Sequence, residues 1–139
     1  MHLVRLVYAS SKGPEFTPES LENVLASAKQ HNARDHITGL LCFNSQYFLQ
    51  CLEGTRTAVN KTYQRIVRDG RHEDIVLLSY EEIYSREFSH WSMGFVPASS
   101  LTQAGLIKYS GSPFFNPYEL AGESAHRMLS QLREAVPVV

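Results

Sequence analysis

Apolar positions recur along this chain with two periods, two and about 3.6, and the changes of period mark its elements. Residues 2–10 alternate as a strand does: Val4, Leu6 and Tyr8 share one face, and Leu3, Val7 and Ala9 the other. A loop over 11–16 follows. Thr17-Pro18 then offers a helix cap with proline at the first helical position. Leu21, Val24, Leu25 and Ala28 continue at the spacing of an amphipathic helix. Strands are predicted over 37–43 and 47–53, joined by the turn Asn44-Ser45-Gln46. A second helix is predicted over 57–69, with Val59, Tyr63 and Ile66 apolar and Gly70 as its stop. Residues 75–83 and 91–96 complete the pattern as two more strands.

The order β-α-β-β-α-β-β is the split βαβ, ferredoxin-like α+β plan with an added strand. It puts both helices on one face of a mixed sheet. The other face needs a cover. Residues 101–109 and 118–135 look helical, are separated by the breaker run Ser110-Gly111-Ser112-Pro113, and can supply it. The expected organisation is a domain over 1–97 and a C-terminal helical extension over 98–139, packing on the sheet or forming an oligomer interface.

Composition narrows the function classes. With 13 basic and 14 acidic residues the net charge is −1, so no basic surplus points to nucleic acid or an anionic membrane. No apolar run approaches the ~20 residues needed to span a bilayer. The first residues are strand-like and unlike a signal peptide, so a cytoplasmic, soluble protein is expected. Cys42 and Cys51 flank the predicted hairpin, where Cys51 would face Gly39. The offset of roughly 10 Å along the strand exceeds the ~7 Å that a disulfide allows, so both read as free thiols. Neither has a metal-ligand spacing.

Three polar residues stand where the pattern expects apolar ones. Asn32 continues the buried stripe of the first helix, or ends that helix as Asn often does. Gln50 lies between Phe48 and Leu52 on the same side of its strand; burying it unpaired would cost about 1–3 kcal/mol. It could instead be satisfied by backbone, or its face be solvated. Tyr8 shares its face with Val4 and Leu6 and could be a plain core tyrosine. If that face meets the helices, phenol, carboxamide and Asn32 converge on one cleft, suited to a flat heteroaromatic ligand with edge donors and acceptors. Arg65 and Asp69, spaced i, i+4, border the Thr62/Ile66 side of the second helix, with His72 just beyond. A cation there suits a phosphate and a carboxylate suits hydroxyls; the same spacing also makes ordinary surface ion pairs.

These residues, in this order, resemble the BLUF family, the sensors of blue light using FAD. The likeness runs over residues 2–97. It rests on Leu6-Val7-Tyr8-Ala9-Ser10, Asn32, Ile37-Thr38-Gly39-Leu40-Leu41-Cys42 and Phe48-Leu49-Gln50-Cys51-Leu52-Glu53-Gly54. It continues through Tyr63-Gln64-Arg65-Ile66, Asp69, Arg71-His72 and Trp91-Ser92-Met93. The tail, with Leu106-Ile107-Lys108-Tyr109-Ser110-Gly111, is similar to the short, stand-alone members.

The resemblance implies non-covalently bound FAD, with FMN or riboflavin as alternatives. Tyr8 would be the photochemical electron donor and Gln50 the switching amide. Asn32 would hold the ring edge, with His31 beside it; Val24, Ala28, Leu40, Phe48 and Ile66 would line the site. Arg65, Asp69 and His72 would take the ribityl and phosphate end, and Trp91 and Met93 would relay the signal. The family often has serine where this chain has Ala28, and Ser27 points elsewhere on an ideal helix. A reversible red-shifted state, a homo-oligomer (dimer or larger ring) and a separate downstream signalling protein are implied, without a chemical substrate, enzyme activity or a metal. The competing readings are a small flavin-dependent redox enzyme, a flavin-binding module without a photocycle, and a ferredoxin-like hydrolase. The last would want a Gly-rich anion loop, for which Lys12 and Gly13 are too sparse.

Overall fold

A computed structural model describes residues 2–135; Met1 and 136–139, part of the two segments expected from sequence, lie outside the described residues. The elements are β1 (Leu3–Lys12), α1 (Ser20–Asp35), β2 (Thr38–Phe43), β3 (Tyr47–Thr55), α2 (Arg56–Val67), β4 (His72–Ile83), β5 (Gly94–Pro97), α3 (Gln103–Ser110) and α4 (Gly122–Leu132). The sheet runs β4-β1-β3-β2-β5. Neighbours are antiparallel except β2 and β5, which are parallel. This is the mixed, ferredoxin-like α+β architecture expected from the order of elements.

Period two gives the sheet two faces, and β1, β2 and β3 are buried on both, while the edge strand β4 is largely exposed. Val4, Leu6, Tyr8, Leu41, Phe48 and Leu52 meet Leu21, Val24, Leu25 and Ala28 of α1 and Tyr63 and Ile66 of α2. Val7, Leu40, Cys42, Leu49 and Cys51 point the other way. There the tail covers them with Leu106, Phe115, Leu120, Ala125, Met128, Leu129 and Leu132. Each leucine, valine, methionine or phenylalanine fully buried in this way contributes about 1.5–3 kcal/mol. Among the described residues no helix is long and apolar enough to cross a membrane.

The departures from the expected boundaries have local causes. α1 starts at Ser20, not at Pro18: Thr17 N donates to Ser20 Oγ (2.8 Å) and Ser20 N to Thr17 O (2.9 Å), closing a turn that holds Pro18 outside the helix. The helix runs past Asn32 and ends at His36, in the left-handed region at φ 55°. Asn32 is thus a buried helix residue and not a terminator. Gly70 does not stop α2, which ends at Arg68 in ordinary right-handed geometry. Gly70 is instead a close approach, since a Cβ there would collide with the Glu15 carboxylate. Both cysteines are free and buried, and burial pushes the Cys42 thiol up to about 12, so it stays protonated.

The β2–β3 hairpin corrects the register. Asn44 N donates to Tyr47 O (3.3 Å), leaving a two-residue turn with Ser45 at φ 76°. Asn44 Oδ1 accepts from both Gln46 N and Tyr47 N, which holds that turn. A turn of three residues would set Leu40 opposite Gln50. The shorter turn sets Leu41 there, and Leu40 faces Cys51. A slip of one residue exchanges the two faces of a strand.

Candidate functional site

β1 and β3 pair so that Tyr8 lies directly opposite Gln50. Residues opposite one another on antiparallel strands share a face, so phenol and carboxamide stand side by side, both buried. The Tyr8 hydroxyl donates to Gln50 Oε1. Burial, with Tyr63 and Asp69 nearby, raises the Tyr8 phenol far above its ordinary range, which keeps its proton in place. Gln50 Nε2 donates to Met93 Sδ (3.3 Å), a weak acceptor for an amide.

A cleft opens over this pair. α1 lines it with Val24, Ser27, Ala28, His31 and Asn32, whose i, i+3, i+4, i+7, i+8 spacing is one helix face. β2 and β3 add Leu41, Phe48 and Leu52; α2 and the residues after it add Thr62, Arg65, Ile66, Asp69, Arg71 and His72. The sequence-based set of Tyr8, Val24, Ala28, His31, Asn32, Phe48, Gln50, Arg65, Ile66, Asp69 and His72 is brought together here. Leu40 is not: it packs on the opposite face with Cys42 and Cys51, and Leu41 holds the place expected of it.

Several partners differ from the sequence expectation. Asp69 pairs with Arg71, not Arg65: Arg71 Nε reaches both carboxylate oxygens (2.9 and 3.1 Å) and NH2 one (2.5 Å). Those bonds hold the Asp69 carboxyl below the usual carboxylate range. Arg65 is exposed on the same cleft. His72 is locked, because Nε2 lies 2.5 Å from Ile66 O and must carry the proton there. Its other nitrogen, Nδ1, lies 2.8 Å from Ser10 Oγ, so both ring nitrogens are engaged. Its ring stands edge-on to Tyr8 at 6.0 Å. His72 therefore walls the phenol and has no nitrogen left for a phosphate.

Ser27 corrects the ideal-helix expectation. It lines the cleft, where its hydroxyl lies 3.3 Å from His31 Nδ1. Asn32 Nδ2 donates to Ser92 O (2.8 Å), tying α1 to the residues before β5. Gly39 N of β2 donates to Trp91 O (3.1 Å), so residues 91–93, which precede the regular strand beginning at Gly94, are tied to both α1 and β2. Met93 is buried on the cleft side; Trp91 is buried in the opposite core. Among residues missed from sequence, Leu41 needed the exact register. Leu52 was signalled by sharing the Gln50 face, and Thr62 and Arg71 by their places beside Ile66 and His72.

The cleft is chemically incomplete without a ligand. Among the described residues, Thr62 Oγ1 is a buried side-chain polar atom with no hydrogen-bond partner, and Thr62 is one of the residues lining this cleft. An apolar floor, a carboxamide and hydroxyl on the walls, and two arginines with a carboxylate fit a flat ring bearing a polar, anionic tail. A flavin has that form.

Comparison with known proteins agrees. The family model for sensors of blue light using FAD matches residues 3–94. The chain is 32% identical over 91 residues to the blue light- and temperature-regulated antirepressor BluF of Escherichia coli (strain K12), covering 66% of this chain and 23% of that protein. It is 32% identical over 92 residues to the photoactivated adenylate cyclase subunit beta of Euglena gracilis, covering 66% of this chain and 11% of that one. The match thus spans a quarter or less of these relatives. The photo-activated state of BlsA superposes with a TM-score of 0.85 at 30% identity, covering 94% of each chain. The dark state of BlrB, a BLUF protein, gives 0.76 at 27% identity, covering 96% of each. A cleft that fits a flavin, opening over a tyrosine and a glutamine set side by side by strand register, is thus found on a chain that belongs to the BLUF family, whose members bind FAD to sense blue light.

Proposed function

We propose that Tyr8 and Gln50 form a light-driven hydrogen-bond switch, and that the cleft of Asn32, Thr62, Arg65, Asp69 and Arg71 holds the flavin that drives it. Bound there, FAD (or FMN or riboflavin) supplies blue-light absorption and a strongly oxidising excited state. Asn32, fixed by its bond to Ser92 O, presents its carboxamide to the ring edge. Thr62 Oγ1 gains the partner it lacks. Arg65 and the Asp69–Arg71 pair serve the ribityl and phosphate end. Val24, Ala28, Leu41, Phe48 and Ile66 keep the ring dry, while His31, set by Ser27, closes one wall.

Tyr8 is the electron donor, and its hydroxyl proton moves along the bond to Gln50 Oε1. Rotation or tautomerisation of the Gln50 amide then exchanges its donor and acceptor ends. Two contacts change together, because the same amide donates to Met93 Sδ. Return of the electron and proton to Tyr8 leaves the rearranged bonds, a reversible, red-shifted state. No covalent bond is made, so the dark arrangement recovers thermally. Residues 2–97 serve as the sensor and the tail from 98 as its cover and contact surface. A homo-oligomer and a separate downstream signalling protein receive the change; Phe114 and Ile107, exposed on the tail, suit such contacts.

The observation that carries this reading is the Tyr8–Gln50 hydrogen bond, imposed by register inside a cleft with an unsatisfied polar wall. Its test is an absorption spectrum before and after blue light. The protein should purify yellow, release flavin on heating, and show a reversible red shift. Tyr8→Phe and Gln50→Leu should each keep flavin and lose the shift. Flavin fluorescence should be long-lived in Tyr8→Phe, where the donor is gone, and shorter in Gln50→Leu, where it remains. A normal photocycle in either variant removes that residue from the switch.

A further inference from the structure

The segment between β4 and β5 is held from both faces of the sheet. At its end, Asn32 and Gln50 of the cleft bind Ser92 O and Met93 Sδ. Five residues earlier, the wholly buried Glu53 carboxylate accepts from the backbone N–H of Glu87 (3.1 Å) and Phe88 (2.8 Å). Glu53 is itself fixed by Arg5, through Nε (3.1 Å) and NH2 (3.0 Å). It lies three residues beyond Gln50 on β3 and so faces the opposite side.

The Glu87 side chain then leaves the segment for α4. Its Oε2 lies 2.5 Å from His126 Nε2, and its Oε1 accepts from Ser130 Oγ (2.5 Å) and, at the end of reach, from Arg133 NH1 (3.4 Å). Burial opposes its charge, but the bonds with Ser130 and His126, and Arg5 at 3.6 Å, hold the carboxyl below its usual range. His126 and Ser130 are i, i+4, so both sit on one side of α4, and Phe88 meets the His126 ring edge-on at 6.5 Å.

The rest of the α4 seat is apolar: Ala125, Met128, Leu129 and Leu132. Apolar burial is non-directional, whereas hydrogen bonds have narrow geometry. The polar side-chain contacts between α4 and the segment before β5 converge on Glu87. We propose that Glu87 is the positioning residue that couples the segment before β5 to α4, so that a rearrangement at Gln50 is passed to α4 as a change in its docking on the sheet. This rests on the Tyr8–Gln50 reading and adds its route of exit.

The test is hydrogen–deuterium exchange over residues 122–132 of the flavin-loaded protein, in darkness and under blue light, with the absorption spectrum recorded alongside. In the unaltered protein the exchange of α4 should differ between the two conditions. In Glu87→Ala the red shift should persist and the light–dark difference in α4 should be lost. Glu87→Gln, whose amide oxygen still accepts from Ser130, should restore part of that difference, which loss of packing alone would not. If Glu87→Ala fails to fold, His126→Ala with Ser130→Ala breaks the same contact from the helix side and should give the same loss. A full light–dark difference in a folded variant lacking the contact overturns the proposal. So does a red shift in the unaltered protein with no change in α4, which leaves the Tyr8–Gln50 switch standing. Loss of the red shift in Glu87→Ala overturns it too, placing Glu87 in the flavin's own network. No red shift in the unaltered protein brings down the switch, and this route with it.

Discussion

The two faces of the sheet bury polar side chains in opposite ways. On the tail side, Glu53 is wholly inaccessible yet fully engaged, by a guanidinium and by two backbone N–H groups. On the helix side, the amide of Gln50 leans on a thioether, and Thr62 Oγ1 has no partner. A buried charge persists only when paired and hydrogen-bonded, so the first arrangement is a structural clamp. A polar wall left incomplete costs stability in the free protein and recovers it when a ligand fills the gap. A ligand is expected at the polar groups that the fold itself does not satisfy.

The largest expected effect comes from breaking the clamp. Glu53→Ala leaves Arg5 buried without its main partner and removes the acceptor for Glu87 and Phe88, and should cost about 3–5 kcal/mol. Denaturant unfolding of the flavin-free protein measures it. A cost under about 1 kcal/mol would mean that this face is no better satisfied than a surface ion pair.

Thr62→Val sharpens the contrast from the other side. Deleting an unsatisfied buried hydroxyl should stabilise the flavin-free protein by about 1 kcal/mol and weaken flavin binding. Denaturation midpoints with and without flavin should therefore move in opposite directions. Movement in the same direction would show that Thr62 does not face the ligand.

The smallest effect is acid dependence at Asp69. Its folded carboxyl is held below the ordinary value by Arg71. Its contribution is thus complete above the unfolded carboxylate value of ~3.9 and lost as pH falls through the lowered folded value. Because the pair is about a third exposed, the effect is modest. The melting temperature of Asp69→Asn should fall less than that of the unaltered protein between about pH 5 and about pH 2. Parallel curves would mean that the pair adds nothing to stability.

Much of the site is legible one element at a time. Asn32 stands out because a helix repeats every 3.6 residues, Tyr8 and Gln50 because a strand repeats every two. Arg65, Ile66 and Asp69 group by the same rule. Leu40 against Leu41 is different, because strand alternation says which residues share a face without saying which face is inward. That choice lay with a turn shorter by one residue. Likewise i, i+4 spacing allowed an Arg65–Asp69 pair, but Arg71 reaches the carboxylate from beyond the helix end.

The chain by itself determined the order of elements, the two-faced sheet and the polar residues set into apolar stripes, since each follows from local periodicity and side-chain type. Only the tertiary structure decided which polar groups are satisfied. Arg5 meets Glu53 across 48 residues, Asn32 meets Ser92 across 60 and Glu87 meets His126 across 39. A hydrogen bond needs its partners within about 3 Å and well aligned, and no spacing along the chain sets that distance until the strands have paired and the helices have docked.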